Sequence, residues 1–128
     1  MKVLLDTCTF LWAIGRPGAL SVQARSIFQS PENEVYLSVA SAWEIAIKHA
    51  LGRLSLPAPA ERLIPSLRDR HGIATLPVDE ESALHVSRLP ALHQDPFDRI
   101  IVCQSIVHGM AILTPDPLIV QYPARVLW

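Results

Sequence analysis

Hydrophobic residues along this chain fall in short continuous runs, and these runs alternate with longer segments that have helical periodicity. Four of the runs are short enough for strands, and those that end at Asp6 and Thr114 stop abruptly, which is typical of strands buried on both faces. They lie at residues 2–5, 34–39, 73–76 and 110–113, and a fifth run at residues 124–127 predicts an edge strand. The segments between them predict helices at residues 8–14, 21–28, 42–51, 61–70, 79–87, 98–108 and 118–121.

Strands that alternate with helices in this way predict a parallel sheet covered by helices on both faces. The chain contains no linker, internal repeat or low-complexity segment, so we expect one α/β domain spanning residues 1–128. Ligands of such sheets bind in the crevice outside the carboxyl ends of the strands. We therefore expect a functional site at that edge of the sheet.

Two of the predicted helices carry local signals about packing. In the third, Trp43, Ile47 and either Ala50 or Leu51 recur at a spacing of three to four residues, which predicts the face that packs into the core. The fourth contains Pro65, which lacks a backbone N–H and is expected to shorten or kink the helix.

Composition favours a folded protein, since half of the 128 residues are hydrophobic and only 18% are charged. A formal net charge of −1 gives no global attraction to nucleic acid, so any such role needs a local basic rim and metal ions to offset acids. Cys8 and Cys103 make no disulfide framework, and both are expected to be buried small apolar groups in a reducing cytoplasm.

The sequence offers no sign of a membrane or export segment. The first apolar run stops at Asp6, which is too short for the core of a signal peptide. No other run approaches the roughly 20 apolar residues that cross a bilayer. We therefore expect a soluble, cytoplasmic protein.

Acidic residues stand where the predicted strands end. Asp6 follows the first strand, Asp116 follows the fourth, and Glu44 lies in the helix after the second. Asp95 and Asp98 begin the helix that leads into the fourth strand, close to the same edge. In a parallel sheet, Asp6, Glu44, Asp98 and Asp116 are expected to converge on one crevice.

Converging carboxylates repel one another, and burying them without a partner is costly. A hard divalent cation such as Mg²⁺ or Mn²⁺ resolves both problems, because it prefers oxygen ligands and binds carboxylates together with substrate phosphate. A site of this kind activates water and stabilises in-line displacement at phosphorus. The acids therefore indicate a phosphodiesterase or nuclease.

Several of these acids also have a purely structural interpretation as helix caps. Asp95 suits the N-cap of a helix whose first position is Pro96, and Asp98 then falls where an acid closes a capping box. Asp6 and Asp116 precede helices in the same way. The pattern alone leaves open whether these residues cap helices, bind a cation or do both.

Other charged residues near these acids are equally open to two interpretations. Glu44 stands four residues before Lys48, the spacing of a helical ion pair. Arg99 is either a contact to substrate phosphate or a surface partner for a carboxylate. His93 is more consistent with a hydrogen-bonding loop residue than with a metal ligand.

Most other catalytic motifs are absent. The sequence has no C-x5-R phosphatase loop, paired-cysteine zinc motif, H-E-x-x-H, G-x-S-x-G or glycine-rich phosphate loop. The segment Asp-Thr-Cys-Thr at residues 6–9 is similar to a phosphoaspartate loop but lacks its second acid. A phosphotransferase with Asp6 as nucleophile is therefore a weaker alternative.

Four blocks of sequence occur in a defined order. They are Leu-Leu-Asp-Thr at residues 4–7, Ser-Ala-Trp-Glu-Ile-Ala-Ile-Lys at residues 41–48, His-Gln-Asp-Pro-Phe-Asp-Arg-Ile-Ile at residues 93–101 and Leu-Thr-Pro-Asp at residues 113–116. Together the chain resembles the PIN-domain family nearly end to end, and within it the VapC-type toxins of bacterial toxin–antitoxin pairs.

The resemblance implies a three-layer α/β/α sandwich with a mainly parallel sheet and the activity of a Mg²⁺- or Mn²⁺-dependent endoribonuclease. By the family pattern, the catalytic and metal-binding acids are Asp6, Glu44, Asp98 and Asp116. Asp6 and Asp98 are expected to contact metal most directly. Thr114 is expected to orient a water or a carboxylate, and Asp95 is an accessory member of its motif.

The resemblance also implies partners: an RNA substrate, a second copy in a homodimer and a small VapB-like antitoxin that blocks the site. Lys48, Arg53 and Arg99 are candidate contacts to the RNA backbone. Cys8 stands where this branch of the family often has histidine, a change that leaves the acids in place. The alternative function is a catalytically silent PIN-like module that works through protein contacts.

Overall fold

The computed structural model describes every residue from Met1 to Trp128 and contains one sheet of five strands. The strands are β1 (Lys2–Leu5), β2 (Glu34–Ser38), β3 (Ala74–Leu76), β4 (Ala111–Leu113) and β5 (Val126–Leu127). All neighbours are parallel, in the order β3-β2-β1-β4-β5. Each predicted strand is present, and the last one does lie at an edge.

Seven α-helices connect and follow these strands. They are α1 (Thr7–Gly15), α2 (Val22–Gln29), α3 (Val39–Ala50), α4 (Ala60–His71), α5 (Glu80–His85), α6 (Pro96–His108) and α7 (Pro117–Val120). Helix α3 begins three residues earlier than predicted, because the Ser38 hydroxyl accepts from Ala40 N–H at 3.0 Å and caps it there. The helix predicted at residues 79–87 divides into α5 and a 3₁₀ turn at Val86–Arg88.

Helices cover both faces of the sheet. Val3 and Leu5 of β1 face one apolar core, to which α1, α2, α3 and α4 contribute. Leu4, between them, faces a second core formed with α6 and α7. Because successive side chains of a strand point to opposite faces, this alternation confirms the predicted three-layer α/β/α sandwich.

The strand order fixes where a crevice opens. From β1 the chain moves outward to β2 and β3 on one side, and β4 and β5 lie on the other. The topological switch point is thus between β1 and β4, outside their carboxyl ends. Asp6 directly follows β1, and Thr114 directly follows β4, so polar side chains flank this point.

The core-facing side of α3 was predicted wrongly. Trp43 is 63% exposed and Leu51 is 60% exposed, whereas Ile47 is only half-buried. The side of α3 that the structure buries consists of Ala40, Ser41, Glu44 and Ile45. The helix is therefore rotated so that an acid, and not the tryptophan, faces inward.

Two further expectations need correction. Helix α4 runs unbroken through Pro65, so the proline does not shorten it. Cys8 is exposed rather than buried, whereas Cys103 is buried as predicted. No helix in the structure is both long and apolar enough to span a bilayer.

Candidate active site

A cavity of about 270 Å³ lies at the carboxyl edge of the sheet. Its wall contains all four acids predicted for the site, Asp6, Glu44, Asp98 and Asp116. It also contains Asp95, Lys48, Thr7, Cys8, His93 and Leu118. Residues from four separate stretches of sequence thus meet at one place.

Asp6 is held on both sides of its carboxylate. Oδ1 accepts from Thr9 N–H at 2.7 Å, which caps α1, and Oδ2 accepts from Thr114 Oγ1 at 2.6 Å. Burial raises the pKa of this carboxyl above its usual range, and the hydrogen bonds from Thr114 and Thr9 oppose that shift. Asp6 is therefore a helix cap and part of the cavity wall at once.

Asp116 is tied to the same hydroxyl. Its Oδ1 accepts from Leu118 N–H at 2.9 Å and caps α7, while its own N–H donates to Thr114 Oγ1 at 3.0 Å. The Thr114 hydroxyl thus links the residue after β1 to the turn after β4. Of the two roles expected for Thr114, the structure places it on a carboxylate.

Glu44 is buried inside α3 although it is charged. Its Oε1 lies 2.7 Å from Thr7 Oγ1, and its Oε2 lies 2.6 Å from Lys48 Nζ. The Lys48 side chain is 49% exposed, so this pair runs from the cavity wall to solvent. The hydrogen bond to Glu44 raises the pKa of Lys48. The ion pair expected from sequence forms, but its acid is not on an exposed face.

Asp95 and Asp98 play different parts at the start of α6. Asp95 Oδ1 accepts from the backbone N–H of Phe97 at 2.8 Å and of Asp98 at 3.2 Å, so Asp95 is the N-cap with Pro96 in the first turn. Asp98 does not close a capping box. Its Oδ2 lies 2.9 Å from His93 Nε2.

The carboxyl of Asp98 has a raised pKa. Burial is the main cause and raises its pKa to about 6, against the opposing hydrogen bond from His93. The nearby charges of Asp95, Glu44 and Asp116 raise it further. The neighbouring acids thus add to the effect of burial on the Asp98 carboxyl.

The three basic residues predicted to contact RNA differ in whether they line the cavity. Lys48 lines it, whereas Arg53 is exposed and does not. Arg99 contacts neither the cavity nor a carboxylate. Its guanidinium instead donates to backbone carbonyls of residues 86–93 and to Tyr122 Oη, which replaces the expected phosphate contact or surface ion pair.

Among the residues that were not predicted for the site, three make hydrogen bonds in or beside it. Thr7 Oγ1 lies 3.0 Å from Ser41 Oγ, next to Glu44. Ser41 precedes Glu44 by three residues on the buried side of α3, and that spacing is a signal available from the sequence. His93, assigned to a loop hydrogen bond, makes that bond to Asp98 itself.

The residues present fit a hard divalent cation. Asp95, Asp98 and Asp116 each keep one carboxylate oxygen that accepts no hydrogen bond from the protein. One ligand atom from each of His93, Asp95 and Asp98 lies within 4.8 Å of the others. Oxygen-rich sets of this kind suit Mg²⁺ and Mn²⁺, and the imidazole nitrogen favours Mn²⁺ among the two.

Cys8, which replaces the histidine expected at its position, lies in the cavity wall. Although the residue is exposed, its place in the cavity wall partly desolvates the thiol and raises its pKa, and the charges of Asp6 and Glu44 add to the effect. The thiol is therefore protonated near neutral pH and is not activated as a nucleophile.

The chain is similar to known proteins in sequence and in fold. Ribonuclease VapC16 of Mycobacterium tuberculosis is 41% identical over 63 residues, a match that covers 49% of this chain and 45% of that protein. The fold is similar to VapBC2 from Rickettsia felis, solved with a DNA fragment from its promoter, with a TM-score of 0.70 and 13% identity over 99% of this chain and 98% of that one. For VapBC-1 from nontypeable Haemophilus influenzae, the TM-score is 0.67 with 19% identity over 99% and 97% of the two chains.

The curated relative is matched over less than half of its length, and the two solved structures share the fold at low identity. The match to the PIN-domain family, in contrast, runs from residue 3 to residue 124. That span includes all five acids of the cavity wall, the strands β2, β3 and β4, and β1 except its first residue. The chain belongs to the PIN-domain family.

Proposed function

We propose that this protein is a metal-dependent endoribonuclease of the VapC type, with Mg²⁺ or Mn²⁺ as its cofactor, and acts as the toxin of a toxin–antitoxin pair. The observation that carries the proposal is the meeting of Asp6, Glu44, Asp98 and Asp116 at the switch point of a parallel sheet. Similarity to a ribonuclease over half of the chain supports RNA as the substrate. Such a substrate places its site of action in the cytoplasm.

In this proposal Asp6 and Asp98 are the principal metal ligands, and Glu44 and Asp116 complete the acidic set. A divalent cation bound there supplies the Lewis acidity that activates water and offsets charge at the scissile phosphate. Thr114 fixes the direction of the Asp6 carboxylate through its 2.6 Å hydrogen bond. Each acid is thus oriented before a substrate arrives.

Lys48, at the mouth of the cavity, has a separate role as a contact to RNA phosphate. Its ammonium group neutralises Glu44 at 2.6 Å and is half exposed. A cation in this position attracts a phosphate of the RNA backbone without reading a base. It therefore favours productive placement of any single-stranded RNA rather than one sequence.

The test is cleavage of mixed RNA by the wild type and by Asp98→Asn in Mg²⁺ or Mn²⁺. The variant keeps the shape of the side chain and loses its charge, so we expect a rate loss of roughly 100-fold or more. Asp69→Asn, at an exposed acid outside the cavity, serves as the matched control and retains full activity. Asp98→Asn activity equal to that of the wild type would contradict the site assignment.

The same assay separates the enzyme from a catalytically silent binding module. Cleavage that EDTA abolishes and Mn²⁺ restores supports the enzyme, whereas no cleavage under any metal condition supports the silent module. The phosphotransferase alternative receives no support from the structure. The segment after β1 has Cys8 where a phosphoaspartate loop has its second acid.

The second copy of a homodimer is proposed to pack on an apolar face beside the cavity. Val39, Val78 and Trp43 are all exposed there, and Trp43 meets Phe97 edge-to-face with ring centroids 5.4 Å apart. They border an almost wholly apolar groove of about 440 Å³. An apolar patch of this kind is typical of an interaction surface.

Light scattering after size exclusion tests the dimer. The variant Trp43→Lys places a charge on the apolar face and is expected to be a monomer. Leu84→Lys, at an equally exposed leucine on α5, is the control and should keep the wild-type mass. A wild type that is already monomeric, or a dimeric Trp43→Lys variant, would show that this face is not the interface.

An antitoxin segment is proposed to bind a different groove, of about 470 Å³, between α3 and α4. Ala42, Ala46 and Ala50 form one wall, and Ile64 of α4 lies opposite. VapBC proteins share this fold, which supports a protein partner. Ala46→Trp fills the groove, so it should prevent an antitoxin from relieving toxicity while RNA cleavage continues.

A further inference from the structure

The segment that carries His93 to the cavity has no backbone hydrogen bonds of its own. It joins the 3₁₀ turn Val86–Arg88 to α6 without helix or strand. No backbone N–H of residues 91–94 donates to another backbone group, and no carbonyl of residues 90–94 accepts from one. Something else must hold this segment if His93 is to keep its place.

Arg99, one residue after Asp98, donates to two of the carbonyls in this segment and to one carbonyl before it. Its Nη1 lies 3.1 Å from Pro90 O and 3.1 Å from His93 O, and its Nη2 lies 3.3 Å from Val86 O. One guanidinium thus joins three points along eight residues of chain. The planar group has five N–H donors in a fixed arrangement, which a lysine ammonium lacks.

Tyr122, in the chain after α7, completes the arrangement. Its Oη accepts from Arg99 Nη1 at 3.1 Å and donates to His93 O at 3.2 Å. The tyrosine is only 3% exposed, so its hydroxyl is a rigid anchor. The carbonyl of His93 consequently has two donors, one from a helix and one from the chain after α7.

The segment held in this way presents the His93 imidazole to Asp98. His93 Nε2 lies 2.9 Å from Asp98 Oδ2, and both side chains are less than one-fifth exposed. Arg99 forms no ion pair with any carboxylate, so its charge does not neutralise the acids directly. Its contacts lead to the backbone of the segment that presents His93, and only through His93 to the cavity.

We propose that Arg99, anchored by Tyr122, is a positioning residue that fixes the segment 90–94 and thereby holds the His93 imidazole against Asp98. The inference deepens the proposed function and rests on it for the effect on RNA cleavage. The placement of His93 itself is independent of any reaction. Arg99 therefore contributes to the site without touching substrate.

The experiment compares Arg99→Lys, Tyr122→Phe, His93→Gln and the double variant Arg99→Lys/His93→Gln. Arg125→Lys is the matched control, because Arg125 is exposed and its side chain makes no hydrogen bond. The first readout is the ¹⁵N-detected NMR signature of the His93 ring at one fixed pH, without metal or RNA. The second is the rate of RNA cleavage well below each melting temperature.

Arg99→Lys and Tyr122→Phe are expected to change the His93 signature toward that of a solvent-exposed imidazole, and Arg125→Lys is not. Both Arg99→Lys and His93→Gln should lower kcat by about tenfold or more, since small misplacements at a site cost that much. The double variant should lose no more than His93→Gln alone, because a residue that acts only through His93 has no further effect once His93 is gone.

An unchanged His93 signature in both Arg99→Lys and Tyr122→Phe overturns the inference. Losses of kcat that multiply in the double variant overturn it as well, since Arg99 then acts by another route. Tyr122→Phe decides the matter if Arg99→Lys fails to fold. If the wild type cleaves no RNA, the proposed function fails, and the NMR readout alone still decides how His93 is held.

Discussion

Two threonine hydroxyls determine where the buried acids of this site point. Thr7 donates to Glu44, and Thr114 donates to Asp6 while it accepts from the N–H of Asp116. A carboxylate that is buried without a donor is costly, so each hydroxyl offsets part of the desolvation of its acid. The geometry of the cavity thus depends on side chains that carry no charge.

The variant Thr114→Val tests whether this hydroxyl stabilises the buried acids. It keeps the size of the side chain but removes the hydrogen bonds to Asp6 and to Asp116 N–H. We expect a loss of about 1–3 kcal/mol in the free energy of unfolding at neutral pH, the usual cost of an unsatisfied buried group. Urea denaturation in EDTA measures it.

Thr75→Val is the control for that experiment, because Thr75 lies on β3 with an exposed side chain. Its stability should stay within about 0.5 kcal/mol of the wild type. A Thr114→Val variant that behaves like Thr75→Val would show that the hydroxyl does not stabilise the acids.

At the scale of single elements, α3 shows what the sequence predicts and where it misleads. Strand positions and helix order followed from hydrophobic runs, and the meeting of the acids followed from strand ends in a parallel sheet. The buried side of α3 did not follow, because Trp43 and Ile47 have the spacing of a core face. Burial of Glu44 is possible only because Thr7 and Lys48 satisfy it, and both contacts depend on tertiary structure.

The same limit applies to His93 and Arg99. Nothing in the sequence shows that the segment before α6 lacks backbone hydrogen bonds or that Arg99 replaces them. A charged residue next to an acidic motif is equally consistent with a phosphate contact. The side-chain direction that decides between the two is set by Tyr122, which lies 23 residues later in the chain.

Helix α4 gives a prediction at this scale. Pro65 is in its interior, where it removes the hydrogen bond that a residue 65 N–H would donate to Glu61 O. Pro65→Ala should therefore raise the free energy of unfolding by about 2 kcal/mol, since the gain of roughly 3 kcal/mol in the helix exceeds the roughly 1 kcal/mol of entropy returned to the unfolded chain.

Thermal and urea unfolding of Pro65→Ala would measure that gain. Ser66→Ala, at the neighbouring exposed position, controls for helix propensity alone. A Pro65→Ala variant that is less stable than the wild type would mean that the wall of the α3–α4 groove needs the proline ring.

For the whole molecule, local charge matters more than net charge. The formal net charge is only −1, yet five acids and one lysine line a single small cavity. An RNA phosphate would be repelled there without a cation. The fold therefore concentrates negative charge at the switch point, and its stability should depend on pH and on divalent metal together.

The dependence of stability on pH and divalent metal follows from the Asp98 carboxyl. Because the pKa of Asp98 is about 6 in the folded protein and 3.8 in its ordinary state, the folded chain binds more protons than the unfolded chain between these values. Without metal, the contribution of Asp98 to the free energy of unfolding thus falls as pH rises from about 4 to about 6, and it is constant at higher pH. Mn²⁺ binds the ionised carboxylate, so its stabilising effect should shrink as pH falls through about 6.

Melting temperatures of the wild type and Asp98→Asn, measured from about pH 4.5 to about pH 8 in EDTA and in Mn²⁺, isolate the contribution of this one carboxyl. In EDTA at neutral pH the variant should melt higher than the wild type, because it no longer carries a desolvated charge among like charges. In Mn²⁺ the wild type should melt at a higher temperature than the variant. A variant that is less stable in EDTA would contradict the cost of the buried Asp98 charge. A variant that keeps the full stabilisation by Mn²⁺ would place the cation away from Asp98.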